Sequence, residues 1–327
     1  MPAIELPSWR GEPGDRARAR LAIDRWAGSL AMARLVESFG GTTDDREGRE
    51  LLDYLGEFSA AHWDFRRGRE RNLASDAALS LTQSVLVVEV APQLGLTGRE
   101  RPTRSRYDTM LLTGGMVRAG IVKPRFAAQL LKDGLSVSHI AFLGGFRAFG
   151  GDEHALAGEL GVDGGDEVEA MVAGMRRAFG SLGDPVVERH VADTPHASWC
   201  HYSWSTGGVR LSVVAAPSSE PSARRANTAD TFRFWAAHRR SPAERSVLVV
   251  TTPIYVPYQA AGAVEALGVE QGLAVETVGV DASSSDLGAL TQQFLPQHHL
   301  QEVRSAIRAM QALRARVTGI AEHTGTE

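Results

Sequence analysis

Apolar side chains along the first hundred residues fall at intervals of three and four. In "RARARLAIDRWAGSLAMARLVESFG", Ile23, Trp26, Leu30 and Ala33 mark one face, and Gly40-Gly41 ends the run, which predicts a single long helix. "TTDDREGRELLDYLGEFSAAHWDF" opens with capping residues and acids that suit a helix N-terminus, and Leu51, Leu55, Phe58 and Phe65 follow as its buried face. "SDAALSLTQSVLVVEVAPQLGL" predicts a third helix ending near Pro92, and the arginine-rich "TGRERPTRSR" (97–106) reads as a connector.

Beyond it the pattern changes. Short apolar runs, "YDTMLLTGG", "SHIAFLGG", "SVLVVTT" and "LAVETVGVD", alternate with the helical "KPRFAAQLLKDG", "GDEVEAMVAGMRRAFG", "RANTADTFRFWAAHRR" and "YQAAGAVEALG". "ASWCHYSWSTGGVRLSVVAAP" reads as two extended runs about a Ser-Thr-Gly-Gly turn. Leu300, Val303, Ile307, Met310, Leu313 and Val317 share one face of a final helix, while His298 and His299 at its start read as surface. Strand-helix alternation predicts an α/β protein, a Rossmann-like three-layer α/β/α arrangement with a mostly parallel sheet. The expected division is a helical region over 1–100, an α/β domain over 101–285 with an inserted hairpin near 197–216, and a C-terminal helix over 286–327 packed on that domain.

Composition narrows the chemistry. With 327 residues, 43% hydrophobic and 23% charged, the chain can bury a substantial core. A formal net charge of −4 gives no general attraction to nucleic acid or anionic membranes. The arginine clusters "RGRER" (67–71) and "RERPTRSR" (99–106) lack interleaved aromatics, so no nucleic-acid partner is expected. Prolines and acids interrupt the opening residues where a signal peptide needs an apolar core, and no run is long enough for a membrane span. A soluble, cytoplasmic protein is the expectation. Lys123 and Lys132 are the only lysines, and Cys200 is the sole cysteine. Its spacing from His190, His196 and His201 fits no usual zinc pattern, so no metal is expected.

In a parallel sheet, ligands bind beyond the C-terminal strand ends. Those ends carry Thr113-Gly114-Gly115, Gly144-Gly145 followed by Arg147, and Thr251-Thr252-Pro253. Glycines there let backbone approach a ligand, although turns between strands and helices also use glycine for their own geometry. None matches G-x-G-x-x-G or the Walker pattern, and no Gly-x-Ser-x-Gly elbow appears.

The order of these pieces resembles the bacterial YdcF/SanA/ElyC-like family over roughly residues 105–285. The similarity rests on "YDTMLLTGG", "KPRFAAQLLKDG", "HIAFLGG", "DEVEAM", "SSEPSARRANTADT" and "VLVVTTPIYVPYQAA". It implies roles for Arg125 on the first helix, Gly144-Gly145, Asp166-Glu167, Asn227-Thr228 with Glu220 upstream, and Thr251. Tyr255 and Tyr258 stand where that family places a histidine and an arginine, so charge is replaced by hydroxyl-bearing aromatics. The resemblance implies a nucleotide-like or adenosyl ligand, S-adenosylmethionine among the candidates. Asp166 or Glu167 would take a ribose hydroxyl or an ammonium, a tyrosine would stack on a base, and Arg125 or Arg147 would pair with a carboxylate or phosphate.

Two functional readings follow. In the first, the protein is an enzyme with Tyr255, Glu220 and Glu167 as candidates for proton transfer. Its ligand cradle is Thr113, Gly114, Gly115, Arg125, Gly144, Gly145, Arg147, Asp166, Asn227, Thr228, Thr251, Thr252 and Tyr258. In the second, the same crevice senses a ligand without catalysis. Either way the N-terminal helices are a candidate surface for homo-oligomer formation. Convergence of Tyr255, Glu220 and Glu167 on one point is what catalysis requires and simple binding does not.

Overall fold

The computed structural model describes residues 3–65, 79–98 and 101–319; the "RGRER" cluster and the start of "RERPTRSR" lie outside them. Among the described residues the chain opens with helices α1 (Asp15–Ala27), α2 (Leu30–Glu37), α3 (Gly48–His62) and α4 (Leu81–Val90). The predicted first helix is two. Gly28 ends α1, and Ser29 starts α2 by accepting the Met32 N–H on its hydroxyl at 3.3 Å. The break re-phases the apolar stripe, so Ile23 and Trp26 are buried while Leu30 is 62% exposed.

The α/β part follows as β1 (Thr109–Thr113), α5 (Val117–Lys132), β2 (His139–Gly144), α6 (Glu153–Glu159) and α7 (Glu167–Phe179). Next come β3 (Val186–His190), β4 (Trp199–Thr206), β5 (Val209–Ala215), α8 (Thr228–His238), β6 (Ser246–Thr251), α9 (Val256–Ala263) and β7 (Ala274–Gly279). A π-turn over Val264–Val269 extends α9, and the short α10 (Ala282–Ser285) precedes the long α11 (Pro296–Thr318).

The seven strands order as β3-β4-β5-β2-β1-β6-β7. From β5 to β7 every pairing is parallel, whereas β3-β4-β5 is antiparallel. Winding runs from β1 out to β2 and β5, then returns to the other side of β1 with β6 and β7. The sheet therefore reverses direction between β1 and β6, where a doubly wound sheet opens its crevice.

Both sheet faces are covered, so the middles of β1, β2 and β6 are runs of apolar residues. Met110 and Leu112 of β1 join Phe126 of α5 and Met171 of α7 on one face, while Leu111 joins Phe232 and Trp235 of α8 on the other. A further core lies outside the sandwich. There α11 packs against α9 and against α1, α3 and α4, joining Leu300, Ile307 and Met310 to Trp26, Leu35, Leu55 and Ile254. The chain start is tied in as well, since Trp9 and Val275 exchange backbone hydrogen bonds of 2.9 and 2.6 Å beside β7. No helix among the described residues is long and apolar enough to cross a membrane.

Candidate functional site

A cavity of about 630 Å³ opens over the C-terminal ends of β1, β2 and β6, at the switch point of the sheet. That size suits a small organic ligand. Thr113, Gly114 and Gly115 line it from the β1–α5 turn, and Gly144, Gly145 and Arg147 from the end of β2. Glu167 enters from α7, Asn227 and Thr228 from the start of α8, and Thr252, Tyr255 and Tyr258 from the turn after β6.

Glu167 is the centre of the floor. The loop after β2 bridges back to the start of α7 at Ala148 and Asp166, with Glu167 N–H donating to Arg147 O at 2.9 Å. This clamp sets the two side chains together. Glu167 Oε1 accepts the Gly115 N–H at 2.8 Å, and Oε2 accepts Arg147 Nε at 3.3 Å. Arg147 also grips Glu153 with both terminal nitrogens, at 2.7 and 2.8 Å, and donates to Gly115 O at 3.1 Å. Glu153 Oε1 in turn accepts the Val117 N–H at 2.8 Å. Burial pushes the Glu167 carboxyl above the usual carboxylate range, against the opposing fields of Arg147, Arg225 and Lys123. Burial acts the same way on Glu153, but the hydrogen bonds from Arg147 and Val117 outweigh it and hold that group low.

Beneath the floor Lys123 is 1% exposed, and its ammonium donates to Thr113 O at 2.5 Å, Thr113 Oγ1 at 3.0 Å and Gly114 O at 3.1 Å. It thus satisfies the carbonyls at the end of β1. The glycines serve the same assembly. A Cβ on Gly114 would lie 2.1 Å from Glu167 Oε1, and one on Gly144 would lie 2.7 Å from Met171 Cε and 2.9 Å from Glu167 Oε1. They make room for the protein's own carboxylate, a reason the sequence reading did not include.

The other wall is the entry to α8. Asn227 caps that helix, taking the Asp230 N–H at 3.0 Å, and Asp230 reciprocates to Asn227 N–H at 2.9 Å. Arg224 pairs with Asp230 at 2.5 Å and with Glu220 at 2.9 Å. Gln259 donates to Thr228 Oγ1 at 3.2 Å, tying α9 to α8 across the cavity edge.

Four of the sequence-derived candidates do not line the cavity. Arg125 is exposed on the far side of α5 and donates to Ser284 O and Asp286 O. Asp166 caps α7 by accepting the Glu169 N–H. Thr251 is fully buried below the floor, its hydroxyl 3.0 Å from that of Thr113. Glu220 lies outside the lining, with its carboxylate on Arg224. Tyr255 and Glu167 therefore share the cavity without Glu220. Glu153, Arg224, Arg225, Thr231 and Gln259 line it and escaped the sequence reading. A signal existed for Glu153, an acid six residues after Arg147 at a helix start, but α6 was not anticipated.

Elsewhere His139 bridges Glu244, at 3.1 Å from Nδ1, and Ser212, at 2.8 Å from Nε2. The set has the composition of a hydrolase triad, yet Ser212 is 0% and His139 2% exposed at the opposite end of the strands, so no substrate reaches it. No group of three or more His, Cys, Asp or Glu among the described residues could hold a metal.

These features define a class: a Rossmann-like α/β protein with a ligand-sized crevice at the switch point of a mostly parallel sheet. Comparison with known sequences carries this further. Residues 10–95 match the model of the Rv3785 N-terminal domain. Over 336 aligned positions the chain is 34% identical to the uncharacterized protein Rv3785 of Mycobacterium tuberculosis and to the uncharacterized protein Mb3814 of Mycobacterium bovis, covering 93% of this chain and 92% of each relative. The chain belongs to the Rv3785 family. No solved structure matches it.

This corrects the resemblance to YdcF/SanA/ElyC-like proteins. The similarity that defines the family runs nearly the whole length and includes the N-terminal helices, for which that resemblance had no counterpart. The motifs behind it are devices of the fold: Gly114 and Gly144 accommodate Glu167, and Asn227 caps α8.

Proposed function

We propose that this protein is an enzyme acting on a nucleotide-like or adenosyl-bearing small molecule, S-adenosylmethionine among the candidates, held in the crevice over β1, β2 and β6. The observation that carries the proposal is the cavity itself, ligand-sized, at the switch point, with two tyrosines on one wall and a buried glutamate in the floor. Tyr255 and Tyr258 offer ring faces and hydroxyls to a base, and Asn227 and Thr228 sit at the positive end of α8. Glu167, its affinity for a proton raised by burial, is suited to accept one from a bound substrate.

The placement of Glu220 favours a second reading, a ligand-binding module without catalysis, because one of three candidate proton carriers is absent from the cavity. The proposal sets the protein in the cytoplasm. It also makes the N-terminal helices an oligomer surface, which the exposed Leu81, Val85 and Val88 on α4 support.

The test is a thermal-shift and calorimetric screen of adenosine, S-adenosylmethionine, S-adenosylhomocysteine and adenine nucleotides, with Tyr255→Phe and Tyr258→Ala beside the parent. A ligand at a hundredfold excess over its Kd stabilises by about 2.7 kcal/mol. Binding lost in Tyr258→Ala and turnover lost in Tyr255→Phe support the enzyme; binding without turnover supports the module. No binding by any member rejects both readings.

A further inference from the structure

The turn between the first strand and the first helix of a doubly wound sheet is where a ligand phosphate ordinarily meets free backbone N–H groups and the positive end of a helix. Here two of those groups are taken by carboxylates. Glu167 Oε1 receives the Gly115 N–H at 2.8 Å and Glu153 Oε1 receives the Val117 N–H at 2.8 Å, each within the first turn or just ahead of α5. Arg147 is held bidentately by Glu153 and by Glu167, at 2.7, 2.8 and 3.3 Å. The Lys123 ammonium is turned down onto the β1 carbonyls. The arrangement is built in: Glu153 and Glu167 are 3% and 6% exposed, and Gly114 and Gly144 lack the Cβ atoms that would collide with Glu167 or, at Gly144, also with Met171.

We propose that Glu167 and Glu153 act as an internal anion for the N-terminus of α5, so that the ligand presents a neutral or cationic donor, such as a ribose diol or an ammonium, to the β1–α5 turn and not a phosphate. A second anion at this point would meet two carboxylates within a few ångströms in a low-dielectric floor. A hydroxyl or ammonium finds spare acceptor capacity on Glu167, which takes one N–H on each oxygen where a carboxylate has about four lone-pair sites, whereas Glu153 already accepts from Val117, Gly150 and twice from Arg147. This deepens the reading of the cavity as a nucleoside-type site and rests on it for the ligand. The occupation of the helix terminus is a property of the chain alone.

Two arms separate the two claims. In the first, inorganic phosphate and pyrophosphate are titrated against the parent, Glu167→Ala and Glu167→Gln, with melting temperature and the Gly115 and Val117 amide resonances as readouts. The parent is expected to show no saturable response. Glu167→Ala is expected to gain one, with at least a tenfold rise in apparent affinity, and circular dichroism verifies that the variant folds. If Glu167→Ala does not fold, the isosteric Glu167→Gln takes its place, with a smaller gain expected because the charge is lost while the amide oxygen still accepts the Gly115 N–H. Saturable phosphate binding by the parent at those amides overturns the proposal, as does a folded variant with no gain. In the second arm, adenosine and adenosine monophosphate are compared on the parent, and adenosine is expected to bind at least as tightly. Tighter binding of the monophosphate, unchanged in Glu167→Gln, overturns the inference while leaving the crevice reading intact. No binding of either compound, with the first arm as expected, rejects the nucleoside reading and leaves the internal anion standing.

Discussion

At Gly114 and Gly144 the side chain that matters belongs to another residue. A glycine pair at a strand end invites the interpretation that a ligand approaches the backbone, yet both positions are emptied for the Glu167 carboxylate. The same scale governs acid stability. Burial, with His298 adding to it, pushes the His299 imidazole down to about 4, and its Nδ1 has no hydrogen-bond partner among the described residues. Burial also lowers His139, despite Glu244. A histidine lowered in the folded state binds its proton preferentially when unfolded, so stability falls as pH drops below about 6.5 and the His299 share is fully lost near pH 4. Over that window His299 contributes a loss of roughly 3 kcal/mol. Glu167, raised on folding, works in the opposite direction, so the comparison must isolate one group. Urea unfolding of the parent and of His299→Leu between pH 7 and 5 is expected to show a flatter pH dependence in the variant; parallel curves would sink the idea.

Among elements, the pairing of α5 with α7 shows why small residues sit where they do. Pro124 lies inside α5 and has no N–H for the Gly120 carbonyl, which faces α7 at Gly174. A Cβ on Gly174 would lie 1.8 Å from Gly120 O, a backbone atom that cannot rotate away. Gly174→Ala should push the helices apart and cost about 3 kcal/mol. Gly262 in α9 has nothing within 4 Å of its added Cβ, so Gly262→Ala should instead stabilise by up to about 1 kcal/mol. Opposite signs are expected for these two variants in the midpoint of urea unfolding. A Gly174→Ala protein as stable as the parent would mean that α5 and α7 are not held at this contact.

For the whole molecule, the helices before the sheet and the helix after it form one core with the turn beyond β6. Ile254, Ala261 and Val264 share that core with Trp26, Leu55 and Leu300, and Trp26 donates its indole N–H to Leu94 O at 3.2 Å. Gly98, at φ 61°, passes so close to Gly279 and Pro253 that a side chain there would meet both. Removing residues 1–98 should therefore expose α9 and α11 and abolish cooperative unfolding, leaving an aggregating protein. A soluble remainder with a sharp calorimetric transition would show instead that the sheet domain stands alone.

What the sequence determined was periodic. Alternating strands and helices and the apolar face of α11 are local patterns, and the α/β class with its crevice at the strand ends follows from them. The same locality placed Thr113, Gly115, Gly145, Tyr255 and Tyr258 at one end of the sheet, where they do line the cavity. The sequence alone did not show which way Arg125 and Lys123 point on α5, two residues apart and on opposite sides, because that depends on where the helix begins and which face meets the sheet. Nor did it show that His299 is largely enclosed, that Glu153 joins Glu167 on Arg147, or that the first helix breaks at Gly28. Those outcomes rest on contacts between residues far apart in the chain, and only the assembled tertiary structure brings such partners within a few ångströms.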